Sequence, residues 1–151
     1  MALVKTINGT QILVQIGNGA SPEVFVADCL INAERGIAFQ SDTNEFIVPD
    51  CTNPDDPAWK ETTKDGLSAS ISGGGMLHTS SISDWHDWFI DKDTKNVRVL
   101  LNSVTLANGG GHWAGAFHLT GFEITGNRNE KATVSVTLIS SGVVTWVPAA
   151  A

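Results

Sequence analysis

The chain has 151 residues and a formal net charge of −7, with 42% hydrophobic and 17% charged residues. This length and composition predict one packed domain and exclude a disordered chain or a coiled coil. Its nine Lys and Arg residues form no cluster, which argues against a surface that grips nucleic acid. We expect no membrane anchor, since no apolar run approaches the roughly 20 residues of a membrane span, and no secretory signal in residues 1–19.

The first part of the chain predicts strands joined by turns. Residues 10–17 are rich in Ile, Leu and Val, and the pair Asn18 and Gly19 directly after them is a strong signal for a hairpin turn. Residues 24–30 and 36–40 supply more β-branched and aromatic side chains, so two further strands are expected there.

Residues 41–66 fit neither a strand nor a helix period, and we expect a long loop. The segment contains three prolines, and its seven acidic and two basic residues give it −5 of the chain's −7. Ordering a loop costs about 1 to 2 kcal/mol of backbone entropy per residue, so something outside the monomer is expected to order this one.

A half-exposed strand is predicted directly after this loop. Leu67, Ala69 and Ile71 alternate with three serines, which gives the two-residue period of a strand with one polar face: Ser68, Ser70 and Ser72. Three glycines at residues 73–75 then indicate a bulge or a close approach of another backbone, with a change of chain direction.

Residues 82–91 are predicted to form the one helix. Ser81 and Asp84 match a capping box, and three apolar residues follow at helical spacing and are expected to face the core: Ile82, Trp85 and Phe89. Four more strands are predicted beyond it, at residues 97–104, 115–125, 132–140 and 143–147. The whole pattern favours a mainly β fold, an antiparallel sandwich or small barrel of about eight strands with one flanking helix.

Patterns that would indicate catalysis or a cofactor are weak. The four histidines match no zinc spacing, and the two glycine triplets lack the residues that follow a phosphate-binding loop. Cys29 lies in a predicted apolar strand and Cys51 in the loop, so both are expected to be free thiols without catalytic use. We therefore expect no enzyme, metal or cofactor. Five tryptophans leave one alternative open, a carbohydrate-binding β-sandwich.

The order of elements in the second half resembles a known family. Residues 115–126, with the pattern Gly-x-Phe-x-Leu-Thr-Gly-x-Glu-Ile-x-Gly, followed by residues 132–138 and 140–144, resemble the C-terminal half of major tail proteins, the tail tube subunits of long-tailed bacteriophages. The opening strands, long loop, glycine-rich strand and short helix agree with that family in order, so the resemblance extends over nearly the whole chain.

This resemblance implies a structural role for a single domain covering residues 1–151. Six subunits would pair strands around a ring, and rings would stack into a tube through which DNA passes without sequence-specific binding. The other implied partners are the tape measure, the tail terminator and the baseplate hub; the implied location is the virion tail, assembled in the bacterial host cytoplasm.

Two sets of residues are expected to make contacts between subunits: the serine face, whose small polar side chains suit a close contact, and the loop, which matches in position the loop that bridges stacked rings in the family. The serine face is expected to pack against a neighbouring subunit. The loop is expected to bridge stacked rings and to be mobile in the monomer, through apolar and charged side chains: Phe46, Ile47, Val48, Asp50, Asp55, Asp56, Trp59, Lys60 and Lys64.

Overall fold

The computed structural model describes residues 3–102 and 104–150. It contains eight strands and one helix, in the order β1 (Ile12–Gly17), β2 (Phe25–Ala27), β3 (Glu34–Ile47), β4 (Lys60–Met76), α1 (Ile82–Ile90), β5 (Lys95–Leu101), β6 (Gly111–Thr125), β7 (Thr133–Ser140) and β8 (Thr145–Pro148). The predicted mainly β fold with one flanking helix is confirmed for this part of the chain.

All the strands join one antiparallel sheet in the order β2-β1-β5-β6-β7-β4-β3, and β8 pairs with β6. The sheet folds over on itself. As evidence of this, the Arg35 side chain at the start of β3 donates a hydrogen bond of 3.2 Å to the carbonyl oxygen of Ile12 in β1, although four strands separate β3 from β1 in the sheet. The result is a sandwich-like body whose two halves share one core.

The core forms where inward-facing side chains alternate along the central strands. On β7, Val134, Val136 and Leu138 are buried while the residues between them are exposed or half-buried. Phe117 of β6 and Ile71 of β4 complete the centre. This two-residue period is the one that the sequence predicted for half-exposed strands.

The glycine triplet allows the close packing of β4 that its sequence indicates. A Cβ atom on Gly73 would lie 2.8 Å from Ile31 Cγ2, and one on Gly74 would lie 2.6 Å from the carbonyl oxygen of Val134. The predicted change of direction at the triplet is wrong, since β4 continues through it to Met76, paired with β3 as far as Gly74 and with β7 as far as Met76.

Helix α1 packs against β6 through two tryptophans. Trp85 and Trp88 are buried, with ring centroids 5.4 Å apart. Phe89 is 47% exposed, so its predicted core position is wrong, and Ile82 is only half-buried. At about 100° per residue, Ile82 and Phe89 lie on the same flank of the helix, to one side of the stripe centred between the tryptophans.

The predicted capping box is also absent. Ser81 has helical backbone angles and its side chain makes no capping hydrogen bond. A single 3-10 turn at Thr79–Ser81 leads directly into the helix, so the chain at Ser81 is already helical and its hydroxyl is not placed to cap.

Candidate functional site

A two-stranded ribbon projects from the body where a long loop was predicted. Strands β3 and β4 stay paired from Phe39 opposite Ala69 to Ile47 opposite Lys60, with a register shift between Ser41 and Thr43. The expected loop at residues 41–66 is therefore wrong in its bounds, because only residues 48–59 connect the two strands. We call the paired residues 39–47 and 60–69 the ribbon and residues 48–59 the tip.

The ribbon has no core of its own. Pairing between β4 and β7 begins at Ser70, and just before it the Ala69 amide donates to Ser140 Oγ at 2.9 Å. Beyond that point every residue from 42 to 57 is exposed. An isolated two-stranded hairpin is marginal in water, and no residue of 39–47 or 60–68 is buried to add to the backbone pairing of this one.

Polar contacts within the ribbon do little to hold it. Lys60 Nζ lies 3.5 Å from Glu45 Oε2, but both side chains are mostly exposed. An exposed ion pair of this kind contributes at most about 1 kcal/mol. The ribbon is thus held mainly by the backbone pairing of β3 with β4 and little by its own charges.

Large apolar side chains cluster at the end of the ribbon. Trp59 is 92% exposed, and three neighbours on β3 and the tip are also exposed: Phe46, Ile47 and Val48. An exposed cluster of this kind at the end of an element indicates a contact site for another molecule. The sequence predicts these residues in the loop at residues 41–66, and in the structure they lie together at the end of the ribbon.

Acidic residues surround the apolar cluster. The tip contains Asp50, Asp55 and Asp56 and no basic residue, while Lys60 and Lys64 lie on the adjoining strand. Residues 41–66 keep −5 of the net charge, which leaves −2 for the rest of the chain. The negative charge is therefore concentrated on the part that projects.

The serine face lies on the outside of the sheet. Ser68 and Ser72 are exposed and Ser70 is half-buried, whereas Ala69 and Ile71 between them are buried. Around Ser70 and Ser72, β4 is an inner strand with β3 and β7 on either side. The serines therefore offer a flat polar face and not a free strand edge.

Free strand edges lie elsewhere in the sheet. Within the residues that the structure describes, β3 pairs only with β4, and β2 pairs only with β1. These strands end the sheet on its two sides and leave backbone amide and carbonyl groups available for another chain. Sequence patterns could not identify them, because strand order was not predicted.

An open apolar groove lies at the base of the ribbon. Its cavity volume is about 560 Å³, and its walls include Phe39, Leu67, Val143 and Val144. Leu67 is 80% exposed, although the alternation along β4 predicted it to be inward-facing. It lies beyond the last residue of β4 that β7 covers, so its inward side has nothing packed on it.

A row of aromatic rings continues from the groove into the body. Trp113 lies between Phe39 and Trp146, with centroid distances of 5.4 Å and 4.7 Å. The two tryptophans pack against each other at an interplanar angle of 56°. This packing covers part of each of these rings, whereas Trp59 at the tip stays 92% exposed.

Among the described residues, few metal-binding or reactive side chains come together. Residues 3–102 and 104–150 contain no group of three or more His, Cys, Asp or Glu side chains that could hold a metal ion. Cys29 and Cys51 are free thiols and both are exposed. The predicted strand around Cys29 is wrong, because β2 ends at Ala27 and Cys29 lies in the turn that follows.

One histidine has a perturbed environment. Burial, together with the nearby positive charge of Arg98, lowers the pKa of His112 from its ordinary value of 6.5. Burial penalises the charged imidazolium, and the cation adds repulsion.

Among the described helices, none is both long and apolar enough to cross a membrane.

Structures with the same fold come from tubular assemblies. The chain is similar to a structure of the tail of an empty gene transfer agent particle, computed with C6 symmetry, with a TM-score of 0.73 and 19% identity, covering 94% of this chain and 99% of that chain. It is also similar to the tube-terminating cap of the anti-feeding prophage, with a TM-score of 0.65 and 16% identity over 99% and 95% of the two chains. For the SPP1 tail tube the TM-score is 0.61 and the identity 10%, over 95% and 80%.

At these identities the structural matches show the fold alone, and no curated protein sequence matches the chain. A family model for the phage tail tube protein matches residues 6–146, which is nearly the full length, and it confirms the resemblance found in the sequence. The chain belongs to the phage tail tube protein family and is a structural tail tube subunit.

Proposed function

We propose that six copies of this chain close a ring, that rings stack into a tube, and that the ribbon and tip bridge successive rings. The observation that carries the proposal is the ribbon itself, which is exposed over residues 42–47 and 60–65 and ends in an apolar cluster with Trp59 at 92% exposure. A chain that worked as a monomer would gain nothing from such an element. The C6 symmetry of the gene transfer agent tail supports six as the number.

Ring closure uses the free edge of β3 and the serine face of β4. The free edge of β3 on one subunit pairs with or packs against its neighbour, which satisfies backbone groups that are otherwise left to water. The flat face of Ser68, Ser70 and Ser72 lies against the adjacent subunit, where small polar side chains allow a close contact. Identical subunits repeat this contact around the ring until it closes.

The tube carries DNA through its lumen without reading its sequence. Outside residues 41–66 the chain has a net charge of −2, and its basic residues form no cluster. The chain therefore has no positively charged patch that would bind DNA phosphates. The tape measure, tail terminator and baseplate hub are the proposed partners, and a similar fold in a tube-terminating cap supports end-capping by related subunits. Assembly takes place in the bacterial host cytoplasm, the product is the virion tail, and no catalytic step is involved.

Shortening the tip tests the bridging role. Residues 48–59 are replaced by Asn-Gly, which joins Ile47 to Lys60 with a two-residue hairpin turn. We expect the variant to fold and to form single rings, but not tubes, in negative-stain microscopy. A matched control shortens the exposed loop at residues 127–130 between β6 and β7 and should leave tubes intact.

Two results would count against this proposal. Tubes of normal length from the shortened variant would show that the ribbon does not bridge rings. A wild-type chain that stays monomeric at all concentrations, and shifts its tryptophan fluorescence when glycans are added, would favour the carbohydrate-binding alternative instead.

A further inference from the structure

The groove at the base of the ribbon has the character of a receiving site. Its lining combines apolar side chains, of which Leu67 and Val143 are each 80% exposed, with four uncharged polar ones: Gln40, Ser41, Ser68 and Ser140. Its volume of about 560 Å³ lies in the range of natural ligand pockets, which is large enough for a bulky aromatic side chain and its neighbours. Among the described residues that line it, Lys64 is the only charged one.

The tip has the complementary composition. It ends in Trp59, which contacts no core, and it contains three aspartates and no basic residue. An apolar anchor flanked by negative charge suits an apolar groove with a single cation at its wall. Pro49, Pro54 and Pro57 also restrict the tip before it binds, which reduces the entropy lost on docking.

The tip cannot reach the groove of its own chain. Along β4, Trp59 at the tip is five residue steps from Lys64, the near wall of the groove, and eight steps from Leu67, which at about 3.3 Å per residue is roughly 16 Å and 26 Å. Because the two sites lie at opposite ends of one ribbon, a contact between them joins two molecules. Repeated head to tail, such a contact gives a closed ring or an open filament, and between stacked rings it extends along the axis of the tube.

We propose that the groove formed by Phe39, Leu67, Val143 and Val144 receives the tip of a second copy of this chain from the next ring, with Trp59 as the anchor. This inference rests on the proposed stacking of rings and identifies the surface that the ribbon contacts. Each subunit then donates a tip to one neighbouring ring and accepts a tip from the other.

Cross-linking within assembled tubes tests this placement. The tip already contains one exposed cysteine, Cys51, so a Val143→Cys variant in a Cys29→Ser background places a second thiol at the groove. Tubes of this variant are treated with a short bismaleimide and examined by denaturing gel electrophoresis. We expect a ladder of multimers, and we expect Cys51→Ser to abolish it.

A cysteine outside the groove provides the matched control. Ile90→Cys, in the same background, adds an exposed thiol on the helix and should give no ladder that depends on Cys51. Tubes with Val143→Cys that do not cross-link, or that cross-link no better than Ile90→Cys, would overturn the groove assignment while leaving ring stacking intact. Cross-linking that stops at the dimer would overturn it too, because it indicates a reciprocal pair. Absence of tubes from the wild-type chain would overturn both proposals.

Discussion

Removal of the indole ring at the tip should separate assembly from folding. Trp59 is 92% exposed, so Trp59→Ala removes no contact within the subunit, and the free energy of unfolding should change by less than about 0.5 kcal/mol. Covering the indole in a neighbour's groove would bury roughly 120 Å² more apolar surface than alanine does, which at about 25 cal/mol per Å² is about 3 kcal/mol per contact. Since 1.4 kcal/mol is tenfold, each contact weakens roughly 100-fold.

The assay measures the concentration at which tubes first appear. Wild-type and Trp59→Ala proteins are sedimented over a dilution series, and urea unfolding of the dilute subunit is measured in parallel. Ile90→Ala serves as the matched control, because Ile90 is also a large exposed side chain but lies on the helix. Assembly of Trp59→Ala at the wild-type concentration would refute the contribution of Trp59 to contacts between subunits. Much easier unfolding would refute the expectation that Trp59 does not stabilise the subunit itself.

Three further predictions concern the body. Trp85→Ala should lower the free energy of unfolding by about 3 to 5 kcal/mol in urea titrations, whereas Phe89→Ala should cost less than about 1 kcal/mol because its ring is half exposed; equal losses would contradict the assigned helix face. Gly74→Ala should cost about 1 to 3 kcal/mol by the same measurement, since its Cβ meets a backbone carbonyl at 2.6 Å, and an unchanged midpoint would refute that. Because the pKa of His112 is lowered in the folded chain, the unfolded chain binds this proton first as the pH falls. The contribution of neutral His112 to the free energy of unfolding is therefore complete above pH 6.5 and declines as the pH falls below it. His112→Gln should reduce this decline in urea titrations at several pH values, and an unaltered pH profile would contradict the role of His112.

Sequence patterns predicted the body well because its strands have one buried face. On β7, Val134, Val136 and Leu138 alternate with exposed or half-buried residues, and this period is visible without a structure. The same logic failed on the ribbon. Both of its faces meet solvent, so neither face requires apolar residues, and a true strand at residues 43–47 has no amphipathic period to detect.

The helix illustrates a second limit. Its existence follows from the spacing of apolar residues, but three large aromatic rings lie in five positions and cannot all face the sheet. Which two become buried depends on how α1 lies across β6, and that is a tertiary property. Trp85 and Trp88 occupy the contact, and Phe89 remains on the flank.

The candidate contact surface was found from the sequence only in part. Its acidic and apolar residues were identified because they do not fit a core. The groove was not, because Phe39, Leu67 and Val143 come from three distant segments and each belongs to a stretch with an ordinary strand composition. Because strand order brings these residues together, no single segment has a sequence pattern that predicts the groove.

The division between body and ribbon gives assembly a direction. The body has a core that the residues of one chain complete, whereas the ribbon exposes both faces from residue 42 to residue 47 and has no such core. Under the proposed stacking, a ribbon is stabilised only when a groove receives its tip, so each added ring orders the ribbons that hold it. Stray pairing of ribbons in solution would bury far less, because a lone contact lacks the five others that a ring closes at once. Growth at the end of an existing tube is then favoured over association of free subunits.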